Sequence, residues 1–304
     1  MKKWIKRLSL FILSLLLLIA IILQSIHVIK NIQVTRTLSD TDIESYQTVD
    51  SRFGEVAYRV KGEETNEALV LVHGFMGSSY DYRYLMDELK DDYYIIAIDL
   101  LGFGKSVKDS DIDFTKTNQA HAVYDVITAL NLSDFTLAGH SMGGEVVMRY
   151  AALYQDTLSE LILFASVSPL VETNNNVNLP VFFYEYVFKN YALQRFAFNS
   201  VYHQDAYKSS SYYDPMFYIN KEIPAKTIKA FNQSSKETDL AELLPSITIP
   251  VTIIYGKEDT WTPRSNGEYL QENLSNSTLY LIDETGHLPF IEAVNDVIEI
   301  LNQE

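Results

Sequence analysis

The chain has 304 residues, 47% of them hydrophobic, enough for one large or two small domains with a buried core. Five of its 24 basic residues and none of its 40 acidic residues lie in the first 30 positions, leaving 19 basic against 40 acidic side chains, a formal −21. That balance argues against docking on nucleic acid or on anionic lipid headgroups. The absence of cysteine excludes disulfides, thiolate metal sites and a thiol nucleophile.

The N-terminus departs from this composition. Residues 1–7 carry Lys2, Lys3, Lys6 and Arg7, and residues 8–29 are apolar apart from Ser9, Ser14, Gln24, Ser25 and His27. As a helix this stretch rises about 33 Å, the hydrocarbon thickness of a bilayer, and it has no polar face of the kind a core helix needs. The pattern predicts a cytoplasmic basic segment over 1–7, a single-pass transmembrane anchor over 8–29 and a spacer over 30–45. The positive-inside bias leaves the N-terminus in the cytoplasm and the remaining chain outside the cell membrane. A cleaved secretory signal, which would release a secreted protein, shares the basic start and apolar run. The exit Gln24-Ser25-Ile26-His27-Val28-Ile29-Lys30 offers no small-x-small site, which favours the uncleaved anchor.

Residues 46–50 and 55–60 alternate weakly around Ser51-Arg52-Phe53-Gly54 and predict an antiparallel hairpin. The continuous apolar run 68–72 predicts a buried parallel strand, ending in His73-Gly74-Phe75-Met76-Gly77. A helix over 80–89, a strand over 93–98 and a turn Asp99-Leu100-Leu101-Gly102-Phe103-Gly104-Lys105-Ser106 follow. Asp109, Asp111 and Asp113 lack the glycine and terminal glutamate of a calcium loop and read as a solvated turn. The helix predicted over 119–130 leads into Phe135-Thr136-Leu137-Ala138-Gly139-His140-Ser141-Met142-Gly143-Gly144, which reads as strand, sharp turn, helix. Such a turn lifts a serine hydroxyl clear of the sheet, within reach of a base, and aims the Met142 amide at a developing oxyanion.

Beyond a strand at 160–164 the pattern changes. From 168 to 244 no strong strand appears and aromatic residues crowd in, either packing this segment on the core, lining a pocket or facing a bilayer. Strands return at 249–255 and 278–282, ending in Gly256-Lys257-Glu258-Asp259-Thr260-Trp261-Thr262-Pro263 and Asp283-Glu284-Thr285-Gly286-His287. Nine of the 12 glycines fall in these strand-end turns, the rim where open α/β sheets bind ligands.

From about residue 46 onward the chain resembles the α/β-hydrolase superfamily, in its capped, serine-nucleophile branch. The resemblance rests on Gly139-His140-Ser141-Met142-Gly143, on the His73-Gly74-x-x-Gly77 loop and on the Ser, Asp, His order along the chain. It implies a mostly parallel, doubly wound sheet with a core from 46–167 and 245–304 and a helical cap over 168–244, inserted after the sixth strand. The implied triad is Ser141 as nucleophile, His287 as base and Asp259 as the acid that orients it, with Glu258 ranked behind Asp259. The implied oxyanion donors are the backbone amides of Phe75 and Met142. Phe75, Met76, His140, Trp261 and cap aromatics are candidates for substrate contact, while His73 and Asp99 read as structural. No metal or organic cofactor is required. The expected reaction is hydrolysis of an apolar carboxylic or acyl ester through an acyl-enzyme. Acyl transfer, carbon–carbon bond hydrolysis and, more remotely, a non-catalytic binding module remain alternatives on the same fold. One departure is Glu292-Ala293-Val294, where many relatives have Glu-x-Pro.

Overall fold

The computed structural model describes residues 2–38, 45–171 and 178–303. An eight-stranded sheet forms the centre: β1 (Gln47–Ser51), β2 (Gly54–Lys61), β3 (Glu67–Val72), β4 (Tyr93–Ile98), β5 (Phe135–His140), β6 (Leu158–Phe164), β7 (Val251–Gly256) and β8 (Ser277–Ile282). Their spatial order is β1-β2-β4-β3-β5-β6-β7-β8. The opening hairpin is antiparallel and β3 to β8 run parallel. This is the doubly wound sheet expected from the sequence.

Strand alternation divides the core into two layers. Val70, Ile96, Leu137 and Leu163 face helices α3 (Lys116–Ala129) and α4 (Met142–Tyr154), whereas Leu69, Leu71, Ile95 and Ile162 face α2 (Arg83–Leu89) and the C-terminal helices. Because both faces are covered, the central strands read as unbroken apolar runs rather than as alternating ones.

Between β6 and β7 the chain leaves the sheet and builds the cap from α5 (Val181–Lys189), α6 (Tyr191–Val201), α7 (Ser210–Asn220), α8 (Ala225–Phe231) and α9 (Leu240–Leu243). Residues 172–177 of the expected cap lie outside the described residues. After β7, α10 (Ser265–Asn273) precedes β8, and α11 (Pro289–Glu292) and α12 (Val294–Leu301) complete the fold.

The N-terminal helix, α1 (Lys2–Leu38), is long and apolar enough to cross a membrane. It corrects the expected spacer over 30–45, whose first nine residues continue the helix; residues 39–44 lie outside the described residues. The physical reason is a stripe at helical spacing, Ala20, Leu23, His27, Asn31, Val34 and Leu38, that is wholly or partly covered. Val34 is fully buried in one core with Tyr191, Phe217 and Tyr213 of the cap. Polar composition over 31–38 thus reflects one exposed helix face, not an irregular linker.

Candidate active site

The turn between β5 and α4 holds Ser141 at φ 52°, ψ −118°, a conformation that non-glycine residues adopt only when their surroundings enforce it. Three backbone hydrogen bonds do so: the Ser141 amide donates to Phe164 O at 3.0 Å, and its carbonyl accepts from Gly144 N at 3.0 Å and Val167 N at 3.1 Å. The first turn of α4 lies hard against the end of β3. A Cβ on Gly143 would sit 2.4 Å from the carbonyl oxygens of both Val72 and His73, so no larger residue fits. Met142 is consequently the first residue of α4, where unpaired amides and the helix dipole favour negative charge.

His287 stands five residues beyond β8. Its Nδ1–H donates to Asp259 Oδ2 at 2.8 Å, and the Asp259 side chain is completely shielded from solvent. The carboxylate is further fixed at Oδ1 by the amides of Trp261 (2.8 Å) and Thr262 (3.0 Å). Thr262 Oγ1 lies 2.8 Å from Asp259 Oδ2 and 3.1 Å from His287 Nδ1. Sequence reading missed Thr262, although an aspartate three residues before a threonine is a signal for a side-chain-capped turn. With Nδ1 engaged as a donor, Nε2 of His287 is left with its lone pair.

Ser141 and His287 line one cavity of about 290 Å³ together with Phe75, Met76, His140 and Trp261. Among the described residues no hydrogen bond joins the Ser141 hydroxyl to His287, a separation common before substrate binds. The imidazole is flanked by Trp261, stacked at 6.3 Å, and by His140 at 4.7 Å between ring centroids. His140 Nε2–H donates to the His287 carbonyl at 2.9 Å. Burial, aided by the neighbouring His287, pushes the His140 pKa well below its ordinary value, so it stays neutral and acts as a fixed donor. The loop is also tied to the cap. The His287 amide donates to Val201 O at 2.8 Å, and the buried Glu292 accepts from Gly286 N (2.9 Å) at one oxygen and Gln204 N (2.8 Å) at the other.

The other candidates sit elsewhere. His73 is buried, with Nδ1 2.7 Å from Gly74 O and Nε2 accepting from Leu100 N at 3.0 Å, so both nitrogens hold the loop that carries Phe75. Asp99 accepts from the amides of Ser79 (2.6 Å) and Lys105 (2.7 Å), and Glu258 from Thr285 N (2.9 Å); neither lines the cavity. Of the cap aromatics, Phe188, Phe198 and Tyr213 reach the cavity, which sequence could not distinguish from their outward-facing neighbours. The wall also includes Asp81 and Asn220, which the sequence reading did not single out. Both are buried, and Asn220 Nδ2 donates to Met76 O at 2.6 Å, bracing the loop next to Phe75.

Residues 67–294 match the family described as alpha/beta hydrolase fold, and the chain belongs to that family. It is a hydrolase of that class. An uncharacterized hydrolase of Bacillus subtilis (strain 168), YugF, is 30% identical over 76% of this chain and 86% of its own length. Lipase 3 of Moraxella sp. (strain TA144) is 27% identical over 88% of this chain and 85% of its own. Among solved structures, a membrane phospholipase A described as a bacterial virulence factor superposes with a TM-score of 0.74 at 22% identity, covering 97% of both chains. That extent takes in α1 as well as the hydrolase core.

Proposed function

We propose that this protein is a carboxylic-ester hydrolase, held at the cell membrane by α1, that acts through an acyl-enzyme on Ser141. The observation that carries this reading is the buried His287–Asp259 pair, 2.8 Å apart, at the edge of a largely apolar cavity into which the strained turn presents Ser141. His287 Nε2 takes the hydroxyl proton as Ser141 Oγ attacks the ester carbonyl, and Asp259 stabilises the imidazolium that forms. The oxyanion is met by the amides of Met142 and Phe75. Collapse expels the alcohol with the proton from His287; a water deprotonated by the same nitrogen then attacks the acyl carbon and releases the acid. Phe75, Phe188, Phe198 and Met216 offer the acyl group an apolar wall. The lipase named among the relatives supports an ester substrate.

The anchor reading rests on the exposed apolar surface of α1 over 8–29 and on Lys2, Lys3, Lys6 and Arg7 before it, which favour a cytoplasmic N-terminus. Labelling by a fluorophosphonate probe tests the chemistry. Native protein should label, while Ser141→Ala and heat-denatured protein should not. Equal labelling of the Ser141→Ala variant removes Ser141 from its role, and a folded protein that fails to label and fails to hydrolyse short-chain p-nitrophenyl esters refutes the reading.

A further inference from the structure

Helix α5 is built the wrong way round for a water-facing cap. Of its nine residues, Val181–Lys189, only Tyr184 is buried. Phe182 is 73% exposed, and Val181, Phe183 and Tyr186 are exposed beside it. Isolated apolar residues on a surface are ordinary, but consecutive aromatic residues on one element mark a contact surface.

The position of α5 says what covers it. The helix ends against α1: Asn190 Nδ2 lies 3.5 Å from the Leu23 carbonyl, and the Tyr191 amide donates to His27 Nδ1 at 3.3 Å. Phe182, Phe183 and Tyr186 share one open crevice with Gln24 and His27 of α1. Lys6 and Arg7 mark the cytoplasmic edge, and a full hydrocarbon thickness of about 30 Å counted from Leu8 ends near His27. The cap shields one side of α1 from Ala20 onward, while Ile21, Ile22, Ile26, Val28 and Ile29 on the rest of the helix stay exposed. The hydrocarbon region therefore ends beside α5. A deeper placement would carry the Glu185–Lys189 ion pair (3.2 Å) on the same helix into hydrocarbon, at high cost.

We propose that α5 lies in the outer lipid–water interface of the bilayer that α1 crosses, with Phe182, Phe183 and Tyr186 inserted at headgroup level and Glu185 and Lys189 facing the crevice. The proposal rests on the reading of α1 as a membrane anchor. With an acidic remainder of the chain, attachment is apolar rather than electrostatic, so zwitterionic lipid suffices. The consequence for the site is direct. Phe188, in the last turn of α5, lines the cavity and meets the Phe75 ring edge-on at 6.3 Å, so docking brings one cavity wall to the lipid surface.

The chain has no cysteine, so single cysteines carry a spin label without background. Full-length Phe182→Cys and Tyr186→Cys are labelled in phosphatidylcholine nanodiscs, with Leu16→Cys as the hydrocarbon reference and the exposed Glu64→Cys as the aqueous reference. Collision with oxygen and with a water-soluble nickel chelate is read for each. Docking predicts nickel accessibility at 182 and 186 several-fold below that at 64, with oxygen accessibility raised toward that at 16. If 16 is lipid-exposed but 182 and 186 match 64, the anchor stands and docking is overturned. If 16 is itself aqueous, the anchor reading fails and docking with it. If 182 and 186 are shielded from both reagents and their labels broaden each other, a second copy of the chain covers α5, which also overturns the proposal.

Discussion

Replacing Asp259 with asparagine should separate catalysis from folding. In the native site Oδ1 accepts two amides, those of Trp261 and Thr262, and Oδ2 accepts the His287 Nδ1–H at 2.8 Å. Asparagine can keep its oxygen on the two amides, which leaves its NH₂ group facing a nitrogen that also donates. The imidazole relieves this clash by moving its proton to Nε2, and the nitrogen aimed at the cavity loses the lone pair that should receive the serine proton. A wrong tautomer of this kind costs about 10⁴ in kcat, or roughly 5.5 kcal/mol of barrier. The lost charge-assisted hydrogen bond costs about 1.5–3 kcal/mol of stability. Asp99→Asn provides the contrast: it disturbs amide contacts of Ser79 and Lys105 away from the cavity, so it should lower the melting temperature and leave kcat nearly intact. Turnover of p-nitrophenyl butyrate, normalised to folded protein by circular dichroism, reads both. A kcat for Asp259→Asn within about tenfold of wild type, or a larger loss in Asp99→Asn, would refute the assignment of the acid.

Three further outcomes are expected. Gly143→Ala places a methyl group 2.4 Å from two backbone oxygens, so it should destabilise the fold by about 1–3 kcal/mol or more and shift thermal melts accordingly. The Asp81 carboxyl, pushed up to about 7 by burial, holds its proton in the folded state after the unfolded chain has released it. Stability should therefore fall as pH rises from about 4 to about 7, by up to a few kcal/mol, and Asp81→Asn should flatten that decline in urea titrations. Removing residues 1–38 strips Val34 and its neighbours from the cap, so limited proteolysis should cut within α6 and α7 sooner than in the full chain, while the sheet stays protected.

Most of the sheet was legible because buried parallel strands leave runs such as 68–72 and 251–255 that no amphipathic helix would produce. The turns that carry Ser141, Asp259 and His287 were legible for a related reason: each is a glycine-marked turn at a strand end, and local sequence reports local backbone geometry. The cap was not. Tyr213 and Phe182 are both aromatic residues in short helices, yet one is buried against the cavity and the other points outward. That difference arises from tertiary packing alone. The helical stretch 30–38 was misread on composition, since its buried stripe has meaning only once α6 and α7 are there to cover it.

The buried carboxylate of Glu292 shows how the unread part bears on the read part. Its position on α11 is local, but its two partners are the amide of Gly286, next to His287, and the amide of Gln204, just past α6. Burial raises its pKa, and the two donated amides offset that cost, so the charge is tolerable only while cap and histidine loop are both in place. Val201 O, holding the His287 amide, repeats the connection three residues earlier. Because α6 is also the helix on which the lower half of α1 packs, the imidazole is positioned by a run of contacts that begins at the N-terminal helix. A cap in this arrangement is more than a cover for the cavity. It is part of what sets the geometry of the imidazole proposed as base.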